Sequence, residues 1–155
     1  VAHVALLEPA GPLALATSRG LSLGRADRWQ ALTSAPGLPG NSAYAVLAHK
    51  GGLYVGTLDG LAWVEGGRVV RVFKDSNSRL SQNWVTGLCA QGDRVFIGAY
   101  GGVFELTPSG DVVGFASQIG KPIVNPNAMR CDGERLLVGT LDGVWTMDQI
   151  GRAHV

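Results

Sequence analysis

The chain is short of several things at once. Only 16% of its residues are charged, the formal net charge is +1, and the 13 lysines and arginines are scattered along the sequence. Without a basic stripe it lacks the electrostatic footprint of a nucleic-acid binder. No apolar run reaches the roughly 18 residues of a membrane-spanning helix, so membrane insertion by this chain is not expected. The three histidines, His3, His49 and His154, stand alone, none with a second His, Cys or carboxylate at metal-ligand spacing. There is no Gly-x-Ser-x-Gly elbow for a nucleophile. The glycine-rich stretch 98–102 (GAYGG) is followed by no helix whose N-terminus would complete a phosphate site. These absences leave no catalytic constellation, no metal site and no cofactor to expect, and the chain reads as a non-enzyme.

What is abundant is glycine, 23 in 155 residues, against an ordinary frequency of about 7%. The glycines mark four copies of one phrase, at 14–23 (ALATSRGLSL), 54–63 (YVGTLDGLAW), 96–105 (FIGAYGGVFE) and 137–146 (LVGTLDGVWT). Gly20, Gly60, Gly102 and Gly143 follow one another at steps of 40, 42 and 41 residues. A period of about 40 residues built from short strand-like runs is that of a β-propeller blade. In the second repeat, strands are expected at 44–49, 53–57, 61–65 and 68–73, joined by short glycine-containing hairpins. The third repeat fits at 84–90, 94–99, 103–106 and 112–116, and the first at 2–7, 13–17, 21–24 and 28–32. The fourth gives 128–131, 135–140 and 144–147, then ends at 151–155, which resembles only the opening of an outer strand. The expected fold is therefore all-β: one propeller domain over 1–155 with four blades of four antiparallel strands. The blades fall at about 1–36, 37–77, 78–120 and 121–155, the last incomplete.

In the third strand of each repeat both alternating faces are apolar: Leu61, Val103 and Val144 on one side, Ala62, Phe104 and Trp145 on the other. A sheet with one wet face would alternate apolar with polar, so each blade is expected to lie between two neighbours. Gly56, Gly98 and Gly139 inside the second strands (Ala16 in the first copy) mark places where other chain comes close. Cys89 stands nine residues before Gly98, whereas Cys131 stands eight before Gly139. One residue of offset puts the two side chains on opposite strand faces. On that count a bridge is not expected, and both cysteines read as small buried hydrophobes. Four blades also leave edges to close. Further blades could come from the same or another chain, two copies could form an eight-bladed ring, or the four could close on themselves. The missing initiator Met and the ending inside a strand favour a piece of something larger.

The phrase 53–61 (LYVGTLDGL), its copy 136–144 (LLVGTLDGV) and the lead-in 37–41 (GLPGN) resemble the two-component-regulator propeller repeats. Those blades carry a strand pair of the form lWiGT…GL after a GLpsN connector. Segment 79–83 (RLSQN) is a weaker copy of the connector and 123–127 (IVNPN) weaker still. The aromatic of the family pattern is replaced by Ala14 and Leu137, and occupied by Tyr54 and Phe96. The resemblance implies an extracytoplasmic, ligand-sensing part of a bacterial signalling protein, its blades belonging to a larger propeller.

In a propeller the turns between second and third strands and the connectors between blades emerge on one rim. That rim would collect Arg19, Asp59, Tyr100 and Asp142 from the turns with Asn41, Tyr44, Asn83, Trp84 and Asn127 from the connectors and strand starts. Aromatics, amides and a few charges around a concave mouth suit a small polar ligand such as a glycan or peptide. Each residue also has a plain structural role open to it. The asparagines can cap connector turns, Trp84 can pack, and Asp59 and Asp142 precede glycine and can hold a hairpin through local hydrogen bonds. The favoured function is a sensor-type module binding a small polar molecule on this rim. The alternative is a structural or protein–protein interaction propeller with a protein partner on a flat face.

Overall fold

The computed structural model describes residues 3–6, 11–35 and 37–148. Each glycine turn closes a hairpin, and the strands follow one another around the fold in chain order. Blade 1 contains β1 (His3–Leu6), β2 (Leu13–Thr17), β3 (Gly20–Arg25) and β4 (Arg28–Leu32). Blade 2 contains β5 (Ala43–His49), β6 (Gly52–Thr57), β7 (Gly60–Glu65) and β8 (Arg68–Phe73). Blade 3 contains β9 (Val85–Gln91), β10 (Arg94–Ala99), β11 (Gly102–Leu106) and β12 (Val112–Gly114), followed by a helical turn, α1 (Ala116–Ile119). Blade 4 shows three strands among the described residues: β13 (Val124–Asp132), β14 (Arg135–Thr140) and β15 (Gly143–Asp148). Every blade is an antiparallel meander in sequence order. The first strands β1, β5, β9 and β13 neighbour each other in turn, which makes them the inner strands of a propeller arc.

The turns show why the repeat is spelled with glycine. Gly60 has φ 129°, and a Cβ there would lie 2.7 Å from the carbonyl oxygen of Phe73. An L side chain cannot adopt that conformation without strain, nor fit that space.

The core is three apolar seams, each between successive blades. Ala14, Ala16 and Leu21 of blade 1 pack with Val46, Val55 and Ala62 of blade 2. Leu61 and Phe73 pack with Val85, Ile97 and Phe104 of blade 3. Phe96, Val103 and Phe115 pack with Val124, Leu136 and Val138 of blade 4. Blades 2 and 3 are thus apolar on both faces, as a sandwiched sheet must be. Blade 4 departs from the expectation, because Val144 is 75% exposed and Trp145 41%. No described residue covers the face of blade 4 that carries Val144. Blade 1 likewise turns the half-exposed Val4 away from blade 2.

Three details differ from the sequence reading. The outer strand of blade 3 stops at Gly114, and the chain then turns through α1, closed by Gly120 at φ 71°. Phe115 makes the last pairing bond, its N–H to the carbonyl of Val103. Its own carbonyl accepts from Gln118 and Ile119 in the helical turn, and its ring is buried against the seam with blade 4. The inner strand of blade 4 begins earlier than expected, at Val124. It carries a bulge between Val124 and Met129, where Pro126 cannot donate to the ladder and Asn127 takes φ 55°.

The third correction is the largest. Cys89 and Cys131 form a disulfide, with their Cα atoms 5.7 Å apart. The offset was read correctly but its consequence was inverted. Cys89 sits opposite Phe96 in its ladder and Cys131 opposite Leu136, so they do take opposite faces of equivalent strands. Blades stack face against face, however, and opposite faces of equivalent strands are the two that meet. The bridge ties blade 3 to blade 4.

Candidate functional site

The connector rim is assembled by one recurring set of backbone bonds. The N–H groups of Leu58, Tyr100 and Leu141, each in a turn between second and third strands, donate to the carbonyls of Ser42, Trp84 and Ile123 in the connectors. Blades are also linked to their neighbours here, since the Ser42 hydroxyl donates to the carbonyl of Ser18 at 3.2 Å. The backbone bonds join Tyr100 to Trp84 and set the turns that carry Asp59 and Asp142 against the connectors.

The turns themselves are held by a residue the sequence reading passed over. The hydroxyls of Thr17, Thr57 and Thr140 donate to the carbonyls of Gly20, Gly60 and Gly143, each at 2.9 Å. The same oxygens accept the N–H of Arg19 at 3.1 Å and those of Asp59 and Asp142 at 3.2 Å. The signal was present as a threonine ending three of the four second strands; Ala99 takes its place in the third repeat. The carboxylates are thus not needed to hold their hairpins. Asp59 instead pairs with Lys74 at 2.8 Å, in the connector that leaves its own blade. Asp142 and Arg19 are exposed on their turns.

The connector asparagines are engaged with backbone. Asn41 accepts the N–H and the hydroxyl of Ser34. Asn83 accepts the N–H of Asp75 at 2.8 Å and donates to its carboxylate at 2.9 Å. Both close connector loops, the ordinary work of Asn in turns. Asn127 lies exposed at the bulge of β13.

The aromatics are different. Trp84 stacks on Tyr100 with ring centroids 4.2 Å apart and planes within 13° of parallel. Tyr44 tilts against the same indole at 5.4 Å. Tyr44 comes from the first strand of blade 2, Trp84 from the connector into blade 3, and Tyr100 from the turn of blade 3, so the trio spans the junction of two blades. Tyr100 is 36% exposed. The indole Nε1 of Trp84 is buried with no acceptor among the described residues. A buried donor left without a partner costs about 1–3 kcal/mol, and such groups are rare enough to need a reason. Of the nine rim candidates, these three are the ones whose rings meet, with Tyr100 exposed and Tyr44 and Trp84 half-buried.

Neither a protein-family model nor a curated protein matches this sequence. Solved structures do match the fold. One is the extracellular domain of a protein described as a hybrid two component system, BT3049 of B. thetaiotaomicron. It is 20% identical with a TM-score of 0.76, over 96% of this chain and 22% of that one. A second, the extracellular domain of BT4673 from the same organism, is 20% identical with a TM-score of 0.67, over 93% and 19%. A computationally designed protein, Ika4, is 14% identical with a TM-score of 0.66, over 91% and 87%. The chain spans about a fifth of the length of the two extracellular domains. At such identities the likeness shows the architecture alone: the chain is a run of β-propeller blades.

Proposed function

We propose that this chain is a non-enzymatic binding module of sensor type, related to the two-component-regulator propeller repeats, that holds a small polar molecule on its connector rim. The observation that carries this reading is the Tyr44–Trp84–Tyr100 cluster. It offers an aromatic surface at a junction of blades, and the turns of the arc carry the charges Arg19, Asp59 and Asp142. Sugar rings present apolar faces that stack on such surfaces and hydroxyls that bond to polar neighbours. The kinship of fold with extracellular two-component domains supports the sensor reading, and the Cys89–Cys131 bridge fits an oxidising compartment.

A thermal-shift panel of small neutral glycans and short peptides tests the proposal. A ligand at about 100-fold over its Kd adds nearly 3 kcal/mol to the folded state. Tyr100→Ala, at an exposed position, is expected to weaken the responding ligand by about tenfold, the size of one lost aromatic contact. The melting temperature without ligand should fall by only about 2–5 °C, the cost of the lost stack on Trp84. No shift across the panel, or a shift untouched by Tyr100→Ala and Trp84→Ala, would turn the reading to a protein partner.

A further inference from the structure

A second opening starts at the end of the arc opposite the connectors, in the seam between blades 2 and 3, and extends along that seam as far as the connector residues 76–79. Between blades 2 and 3 lies a cavity of about 250 Å³, lined by His49, Tyr54, Trp63, Arg71, Phe73 and Pro108 among others. Past Arg71, Phe73 and Gly110 it runs into a wider groove of about 720 Å³ that adds Arg79 and the polar residues 76–78. Its origin is legible in the repeat. β6 opens on Gly52, where a Cβ would lie 2.3 Å from the Trp63 ring, so only glycine lets the indole lie across this corner. Trp63 is directly opposite Tyr54 in the ladder, and their ring centroids are 4.5 Å apart. Blade 3 has Arg94, Phe96 and Glu105 at the same three positions. There Arg94 pairs with Glu105 at 2.6 Å and its guanidinium lies 4.9 Å from the centre of the Phe96 ring. The place that blade 3 fills with an ion pair, blade 2 leaves as aromatic surface.

The polar groups around this surface have capacity to spare. The Arg71 guanidinium rests 4.4 Å from the centre of the Phe73 ring and donates one bond, at 3.3 Å, to the carbonyl of Gly110. No carboxylate among the described residues pairs with it. The Tyr54 hydroxyl and the His49 imidazole bond to no other described residue. Burial lowers the His49 pKa and raises that of Tyr54, which favours a neutral imidazole and a phenol that keeps its proton. Beside the aromatic surface the other charges are committed, Lys50 to Asp93 at 2.7 Å and Glu65 to the indole N–H of Trp63 at 2.7 Å. Arg79 and Asp111 line the wider groove beyond, the Asp111 carboxylate accepting the Ser109 hydroxyl at 3.0 Å.

We propose that this cleft is a second binding site, distinct from the connector rim, and that it takes a small acidic sugar. The sugar ring lies against Tyr54 and Trp63, its carboxylate meets the Arg71 guanidinium, and its hydroxyls reach Tyr54 and His49. An arginine with free donors in fork geometry recognises a carboxylate far better than a neutral hydroxymethyl group.

The test is an NMR titration of the whole chain with sodium D-glucuronate, and with D-glucose as the neutral counterpart, following the Trp side-chain resonances. Expected is saturable perturbation of the Trp63 indole by glucuronate, with glucose weaker by about tenfold or more. Arg71→Gln, at an exposed position on β8, should bring glucuronate down to the level of glucose while lowering the melting temperature by no more than about 4 °C. Trp84→Ala should leave glucuronate binding as it was, which separates this site from the connector rim. Equal binding of the two sugars, perturbation centred on Trp84, or no saturable response would each overturn the proposal.

Discussion

Blade 3 meets a neighbour on each side, and the two seams are built to different plans. Towards blade 4, Cys89 is bonded to Cys131, Phe96 is fully buried, and the Arg94–Glu105 pair caps the ring. Gly98 lies so close to blade 4 that a Cβ would stand 2.4 Å from the Met129 sulfur. Towards blade 2 the inner half is as tight, with Gly56 placing a Cβ 2.7 Å from Val85. The outer half instead opens into the aromatic cleft beside Arg71. The same repeat therefore supplies a covalently stapled seam and a divided one. The difference rests on a few positions: Gly52 against Arg94, Trp63 against Glu105, and a cysteine pair on one side only. The lesson is that a repeat sets the spacing of the blades, while individual substitutions at equivalent positions decide which seams are closed and which can admit a ligand.

The sharpest way to break this contrast is to cut the staple. The two cysteines are 42 residues apart in sequence. In the chain-entropy model a loop of that size contributes about 4 kcal/mol through the unfolded state. Reduction, or Cys131→Ser, should lower the melting temperature by about 10 °C for a domain of this size. Thermal denaturation with and without reductant checks this, with Cys131→Ser expected to be insensitive to reductant. A loss below about 1 kcal/mol would mean that the apolar packing of Phe96, Leu136 and Val138 closes the seam unaided and the staple adds little.

A smaller effect is expected from Glu105→Gln. It leaves Arg94 over Phe96 with a neutral partner in place of a carboxylate. Because both side chains are only partly buried, the cost should be about 1–2 kcal/mol, between that of a surface pair and a fully buried one. Urea denaturation should show a lower midpoint with an unchanged m-value. An unchanged midpoint would show that the plug in blade 3 rests on the ring contact alone, which would narrow the contrast with Trp63.

Much of this architecture was legible in advance, and the reasons are local. The glycine at the turn between second and third strands recurs because backbone conformation demands it, so its spacing exposes the blade period directly. The apolar faces of β7 and β11 follow from being covered on both sides. What escaped was whatever depends on how blades meet. The cysteine offset could be read, but its meaning needed the stacking of faces. The short helical turn at 116–119 depends on where Phe115 finds a pocket in the neighbouring seam. At the rim, the asparagines proved to close connector loops, while Thr17, Thr57 and Thr140 took the turn role first given to the aspartates. The cleft went unseen because Gly52, Tyr54, Trp63 and Arg71 come from three strands, and His49 from a fourth.

The finest probe of the contrast is acid. The His3 Nδ1 accepts the N–H of Val46 at 3.1 Å, tying blade 1 to blade 2, and His49 borders the cleft between blades 2 and 3. Burial lowers both pKa values from the usual 6.5; at His49 the Lys50 charge adds to this and Asp93 opposes it. The folded state therefore binds fewer protons than the unfolded state between the folded pKa values and about 6.5. The contribution of these histidines is fully present above that window, is lost as pH falls through it, and changes no further below the folded values. Protonated His3 can no longer accept from Val46, so its seam should loosen first. The seam between blades 3 and 4 has no histidine among the described residues. On moving from about pH 7.5 to pH 5, amide protection should fall at Val46 and its neighbours more than around Cys89. His3→Gln should remove most of that difference at Val46. The effect should be the smallest of the three, because both imidazoles are only partly buried, which blunts the penalty of charging them. Equal loss of protection at both seams would mean that the whole arc opens as one unit, staple and cleft alike.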